Sequence, residues 1–237
     1  MTRLDQAISA RFPSISRRKA RALIASGCVT VNQHPVRVAS REVASGDELR
    51  VVEASAPVPL LASTDEWLAV AKPAGVPAQP ARDRAALSLE EMLRVEYRSI
   101  YLVHRLDTPT SGVMLFARTA ASAARLSKFF AEGAIRKVYL ARVQPPIDQE
   151  LTIDTPIDGK EALTIVRPRA DGLVEVDIRT GRTHQIRIHL SSAGHPVDGD
   201  RRYGGKAATR LMLHAWKIEH PELGVIEAPP DASLRSR

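Results

Sequence analysis

The chain has 237 residues, 44% hydrophobic and 26% charged, enough for one sizeable core plus a smaller module. Its 34 Lys and Arg against 27 Asp and Glu give a formal net charge of +7, which favours a polyanionic partner. A single cysteine excludes a disulfide framework and thiolate metal clusters. The first residues lack a signal-peptide core, and no apolar run reaches the ~18 residues that would span a bilayer, so a soluble cytoplasmic protein is expected, by default a monomer.

Residues 1–52 hold nine Lys or Arg and four Asp or Glu, which places +5 of the +7 in less than a quarter of the chain. Leu4, Ala7, Ile8 and Phe12 recur at helical spacing until Pro13 ends the pattern. Ser16 can cap a second helix to Ala25, with Gly27 at its C-terminus and Ala20, Leu23 and Ile24 as its apolar stripe. Arg17, Arg18, Lys19 and Arg21 crowd its first turns, where cations oppose the helix dipole; phosphate contact is the expected compensation. Strands follow over 28–32, 36–38 and 49–52, and Cys28, flanked by apolar residues, reads as a buried, inert thiol. The collinear series Arg3-Leu4-Asp5, Ser16-Arg17, Gly27, Val29-x-Val31-Asn32 and Gly46-Asp47 is similar to the small RNA-binding domain first known from a small-subunit ribosomal protein. A merely solvated basic face is the plainer alternative.

Residues 53–62, with two prolines, read as a linker. Trp67 to Ala71 reads as a strand entering Lys72-Pro73-Ala74-Gly75, and Leu87 to Glu96 as a helix. Ser99 to Val103 and Val113 to Ala117 read as strands, the second so apolar that both faces are buried. Between them hangs the charged loop His104-Arg105-Leu106-Asp107-Thr108-Pro109-Thr110-Ser111-Gly112. Pro109 and Gly112 fix its corner, a setting in which a rigid scaffold presents reactive side chains. Taken alone, Asp107 is equally well a turn residue.

Further on, Thr119 can cap a helix to Ala131 closed by Gly133, and Lys137 to Val143 reads as a strand with Lys137 and Tyr139 on one face. Residues 144–172 read as hairpins, and Val174 to Arg179 as a half-buried strand. Thr180 to Leu190 is ambiguous: Ile186, Ile188 and Leu190 suit a strand, whereas Ile186, Leu190 and Ala193 suit a helix capped by Thr183 and closed by Gly194.

His104-Arg105-Leu106-Asp107 followed by Thr110-Ser111-Gly112 resembles the catalytic signature of the RluA-type RNA pseudouridine synthases. Lys72-Pro73-x-Gly75, Lys137-x-Tyr139, Thr180 to Leu190 and Leu213-His214-Ala215-Trp216 resemble that family's other motifs, in its order. The resemblance implies an α+β chain: a small αα-β RNA-binding domain over 1–52, a linker over 53–62, a catalytic domain over 63–227 and a flexible tail over 228–237. The catalytic domain is expected to be a mixed, mainly antiparallel sheet with flanking helices, one of them carrying Arg187. The resemblance further implies that Asp107 is the catalytic carboxylate, that Tyr139 packs against uracil, and that Arg187 keeps Asp107 ionised. Arg105, with His104 beside it, is implied to fill the stack left by a flipped base. Arg17, Arg18, Lys19, Arg21, Arg182, His184 and Gln185 are expected on RNA. Neither cofactor nor metal is implied, and the expected target is large-subunit ribosomal RNA, with transfer RNA as the alternative.

A single carboxylate suits this chemistry. Hydrolytic glycosidases generally use two, one to protonate the leaving group and one to attack or activate water. An isomerase that keeps the uracil anion in place can manage with one, acting at C1′ or on the C2′ proton. A non-catalytic RNA-binding assembly factor would have no use for Asp107, and a base-excising glycosidase would release free uracil.

Overall fold

The computed structural model describes residues 1–25, 28–51, 58–80 and 88–235. They form two compact units, Met1–Val58 with Pro77–Ile100, and Pro59–Val76 with Tyr101–Arg237.

In the first unit β1 (Thr2–Arg3) runs into α1 (Leu4–Arg11), and α2 (Arg17–Ala25) follows. Ser16 Oγ accepts the Lys19 amide at 3.2 Å, the N-cap its position suggests; Gly27 lies outside the described residues. β2 (Val29–Val31) pairs with β3 (His34–Pro35) and β5 (Leu49–Val51), and β4 (Glu42–Val43) pairs with β1. Leu4, Ile8, Leu23, Ile24, Cys28, Val29 and Val31 make the core, so Cys28 is buried as expected.

The cations of α2 divide into two sets. Asp5, fully buried, accepts Arg21 Nε at 2.8 Å, Arg3 Nε at 3.1 Å and Arg17 Nη2 at 3.4 Å. Arg17 and Arg21 therefore have an internal partner where an RNA contact was expected, whereas Arg18 and Lys19 stay exposed. Burial alone would raise the Asp5 pKa; the three guanidinium hydrogen bonds outweigh it and hold the carboxyl far below its usual range. A folded-state value below the unfolded one adds stability at neutral pH that is lost on acidification. Relative to the intrinsic exchange rate at each pH, hydrogen-exchange protection of the α1 and α2 amides should fall as pH drops from about 5 to 3, and Asp5→Asn should flatten that dependence. An equally steep dependence in the variant would remove Asp5 as its source.

The first unit also includes α3 (Leu89–Glu96), which opens on a capping box: Ser88 Oγ accepts the Glu91 amide at 3.2 Å, and Glu91 Oε2 accepts the Ser88 amide at 3.0 Å. This helix packs on α2. Val95 joins the core, and Arg37 Nη1 donates to Glu91 at 2.8 Å. The sequence reading placed this segment in the larger domain; its apolar edge and the Arg37 pair attach it to the first unit instead.

The second unit is built from β6 (Leu60–Ser63), β7 (Trp67–Lys72), β8 (Tyr101–Leu102), β9 (Ser111–Ala117), α4 (Ala120–Ala131), β10 (Arg136–Ala141), β11 (Leu151–Ile153), β12 (Thr164–Pro168), β13 (Val174–Ile178), α5 (Gln185–Ser192), β14 (Leu213–His220), β15 (Gly224–Glu227) and α6 (Ala232–Arg235). One sheet runs β11-β12-β13-β10-β14-β9-β7-β6, with β8 on β9 and β15 on β14. Among the described residues β9 and β14 are its one parallel pair, so the expected mixed, mainly antiparallel sheet is present. All seven residues of β9 are buried, as its composition requires. Gly112, at φ +121°, faces Ala215 so closely that a Cβ would lie 2.1 Å from the Ala215 oxygen, which no other residue could accommodate here.

Three boundaries differ from the sequence reading. The expected linker runs to Ala62, yet β6 starts at Leu60 and pairs with β7; residues 52–57 lie outside the described set. β13, expected to alternate, is buried at four of its five positions because it is central to the sheet, and Arg136 Nε pairs with its buried Asp177 at 2.8 Å. The tail is docked rather than free as far as Leu234. Ala228 and Leu234 are fully buried, Arg210 binds Asp231 at 3.0 Å, and Arg142 donates to the Leu234 carbonyl.

Candidate active site

The loop after β8 is held from beneath by the Lys72-Pro73-Ala74-Gly75 segment. The Thr108 carbonyl accepts the Gly75 amide at 2.8 Å and Lys72 Nζ at 3.1 Å. Lys72 is 1% exposed and also donates to the Pro73 and Val76 carbonyls at 2.9 and 2.7 Å. Burial pulls its pKa down to about 7 against the opposing charge of Asp107, but three carbonyl acceptors match the three N–H groups of an ammonium. The Thr110 amide returns to the Asp107 carbonyl at 3.0 Å and closes the corner.

His104 braces the same loop. Its Nε2 accepts the Leu115 amide at 2.9 Å, which places the ring proton on Nδ1, and the ring stacks on Phe130 at 4.2 Å. Burial, with Lys137 adding to it, pushes its pKa down to about 3, so the imidazole is neutral. This corrects the expectation that His104 takes part in base flipping: its ring is packed on Phe130 and its Nε2 is occupied. Arg105, in contrast, is exposed at the cavity lip with no side-chain partner among the described residues.

Asp107 projects into a cavity of about 270 Å³, large enough for one nucleobase, with Lys137, Tyr139, Arg182, His184 and Arg187 also on its walls. Its Oδ2 lies 3.4 Å from Arg187 Nη1 and 3.6 Å from His184 Nε2. Thus Asp107, Tyr139 and Arg187, far apart in sequence, share one cavity. The main partner of Arg187 is nevertheless Asp200, which accepts Nε at 2.7 Å and Nη2 at 2.9 Å. Those bonds raise the Arg187 pKa, while at Asp200 burial is outweighed by the same guanidinium and by the Arg202 and Tyr203 amides, so its pKa is lowered.

The helix reading of 183–194 is right, and α5 with its N-cap brings His184, Arg187 and Ser191 to one face. All three meet Tyr203. Its hydroxyl lies 2.9 Å from His184 Nδ1, its ring 5.0 Å from the Arg187 guanidinium, and its carbonyl accepts Ser191 Oγ at 2.8 Å. The cap is not Thr183 but His184, in the left-handed region at φ +56°, where no side chain satisfies the first amides. Burial lowers the His184 pKa despite Asp107, with Arg187 and Arg202 adding to the effect.

Gln185 was expected on RNA, and the structure corrects this. Its Oε1 accepts Thr180 Oγ1 at 2.7 Å and the Arg182 amide at 3.0 Å, while Nε2 donates to the Leu163 carbonyl and Thr164 Oγ1. A buried amide with both ends satisfied has nothing left for RNA. Arg182, whose Nε donates to the Glu161 carbonyl at 2.9 Å, stays partly exposed on the cavity wall.

Tyr139 stays a phenol, because burial and then the negative Asp107 raise its pKa. Lys137 is 9% exposed and gives one N–H to the Thr180 carbonyl at 3.0 Å. Among the described residues its other two N–H groups have no partner. Burial, then Arg182, pulls its pKa down to about 8, with Asp177 opposing. Ser111 and His214, 2.9 Å apart, are a structural pair: both are buried, and His214 Nε2 donates to the Ala228 carbonyl at 2.8 Å, tying β9 and β14 to the tail.

Sequence reasoning gave no role to Lys72, Asp200 or Tyr203. Nothing in the spacing of Asp200 and Tyr203 pairs them with α5. Among the described residues no helix is long and apolar enough to cross a membrane.

A cavity of base size whose one carboxylate among the described residues is flanked by a guanidinium, in a chain that also carries a small basic αα-β unit, suits an RNA-modifying enzyme. The chain belongs to the RNA pseudouridylate synthase family, whose model matches residues 66–192, and carries an S4 domain over residues 2–49. It is accordingly an isomerase acting on uridine in RNA. An uncharacterized RNA pseudouridine synthase of Helicobacter pylori is 34% identical over 86% of this chain and 88% of its own. The ribosomal large subunit pseudouridine synthase D of Nitrosomonas europaea is 31% identical over 94% and 79%. The structure of human RNA pseudouridylate synthase domain containing 1 superposes with a TM-score of 0.63 at 28% identity, over 73% of this chain and 83% of that one.

Proposed function

We propose that this synthase isomerises one or a few uridines of structured large-subunit ribosomal RNA in the cytoplasm, without a cofactor, by breaking the N1–C1′ bond and joining C1′ to C5. The observation that carries the reading is the placement of Asp107 beside Arg187 in a cavity large enough for one base. Relatives named as ribosomal large subunit pseudouridine synthases C and D support the choice of RNA; a relative named as dual-specificity keeps transfer RNA as the second reading.

Asp107 opens the glycosidic link, either by attack on C1′ or by removal of the C2′ proton; both routes use the same carboxylate. Tyr139 packs on the uracil, and Arg105 enters the stack the base has left, a flip that costs roughly a few kcal/mol. The detached uracil carries negative charge on its carbonyl oxygens. Lys137, whose ammonium has two N–H groups without partners among the described residues, stabilises it there. After C1′–C5 closure the C5 proton is lost and N1 takes one up, so the product is an isomer of the substrate.

If Lys137 works as the ammonium, turnover should fall as pH rises through about 8, and Lys137→Arg, which cannot lose its proton, should move that limb upward. An unmoved limb in a folded variant would count against Lys137. The target itself is found by mapping pseudouridines in total RNA from cells with and without the gene. A missing ribosomal site supports this reading; a missing transfer-RNA site selects the alternative.

A further inference from the structure

The first unit has a second concavity that shares no residue with the catalytic cavity. It is a cleft of about 410 Å³, walled by Ser16, Arg18 and Lys19 at the start of α2 and by residues 94–98 at the end of α3. Both walls are fixed in one unit, because Val95 packs into its core and Arg37 holds Glu91. We propose that this cleft binds the sugar-phosphate backbone of RNA, as a grip that the S4 segment completes only with α3 from the synthase segment.

Three observations carry it. Arg18, Lys19 and Arg98 are exposed and have no side-chain partner among the described residues. Arg94 is held by Glu90 at 2.7 Å yet stays exposed on the wall, and Glu96 is the one carboxylate in the lining. The helix dipole separates the two sides. Arg94 and Arg98 lie at the end of α3, where cations are favoured, but Arg18 and Lys19 sit in a first turn that has no acidic residue. Of the α2 cations Asp5 compensates only Arg17 and Arg21, so the charge of Arg18 and Lys19 is left for an external polyanion. The ligand class follows from the lining: four cations and one aromatic residue suit phosphates rather than a ladder of stacked bases.

The test measures binding of a uridine-free RNA stem-loop to the full chain over a salt series. Without uridine the catalytic cavity has no substrate, so the result does not depend on the catalytic reading. Arg94→Gln with Arg98→Gln should weaken binding by roughly tenfold or more and lower the slope of log affinity against log salt by about 2, one unit per lost phosphate contact. Arg167→Gln with Arg169→Gln, a change of equal charge in the other unit, should leave that slope in place. Glu96→Gln, which removes the opposing carboxylate, should tighten binding and gives a reading should the double variant fail to fold. An unchanged slope in the Arg94 and Arg98 variant, an equal loss in the control pair, or no tightening with Glu96→Gln would overturn the proposal.

Discussion

Asp107→Asn should abolish isomerisation, lowering turnover by roughly 10⁴-fold or more while leaving RNA affinity within a few fold. The asparagine side chain has the same shape, and the hydrogen bonds from the Thr110 amide to the residue 107 carbonyl and from Lys72 Nζ and the Gly75 amide to the Thr108 carbonyl involve no carboxylate. What disappears is the group that can attack C1′ or accept a proton. In a protein with a second carboxylate at the reacting atoms, part of the rate would survive. Asp200 is the other acid near Arg187, but it is buried and engaged twice by the guanidinium.

The second large effect is expected at Arg187, and its design separates architecture from chemistry. Arg187→Met leaves Asp200 as an uncompensated buried charge, at a cost of about 3–5 kcal/mol in stability, and removes the cation beside Asp107. Turnover should drop by roughly 10²–10³-fold, the scale of one electrostatic group in a partly dry site. Combining it with Asp200→Leu replaces the buried pair by apolar groups and should restore most of the stability, since such replacements are often neutral. It should not restore turnover. Denaturant midpoints and single-turnover rates on the wild type and the two variants decide the matter; recovery of rate along with stability would make Arg187 a purely structural residue.

What could be read from the sequence is what depends on short range. Ser16 and Thr119 are caps whose bonds close within three residues, and β9 declares its burial through seven apolar or small residues. The gathering of Asp107, Tyr139 and Arg187 was legible through ordered motifs rather than through physics, because no local pattern brings β10 and α5 to one loop. Partner choice across distance was not legible. Asp5 is 12 and 16 residues from the two α2 arginines it binds, and a row of cations on a helix looks the same whether an internal acid or a phosphate answers it. Gln185 and His104 failed in the opposite direction. Both are polar and adjacent to reactive residues, yet the protein's own groups engage them, the Gln185 amide at both ends and His104 at Nε2, which only the folded chain reveals. The docking of the tail through Leu234 and Arg210 is likewise long-range.

The most direct test of the central claim is to follow the wild-type protein acting on ribosomal RNA that carries tritium at C5 of uridine. Isomerisation at one carboxylate with the base retained predicts tritium in water, an equal amount of pseudouridine in the digested RNA and no free uracil. Free uracil matching the label lost from the RNA, or pseudouridine formed at full rate by the Asp107→Asn protein, would contradict it.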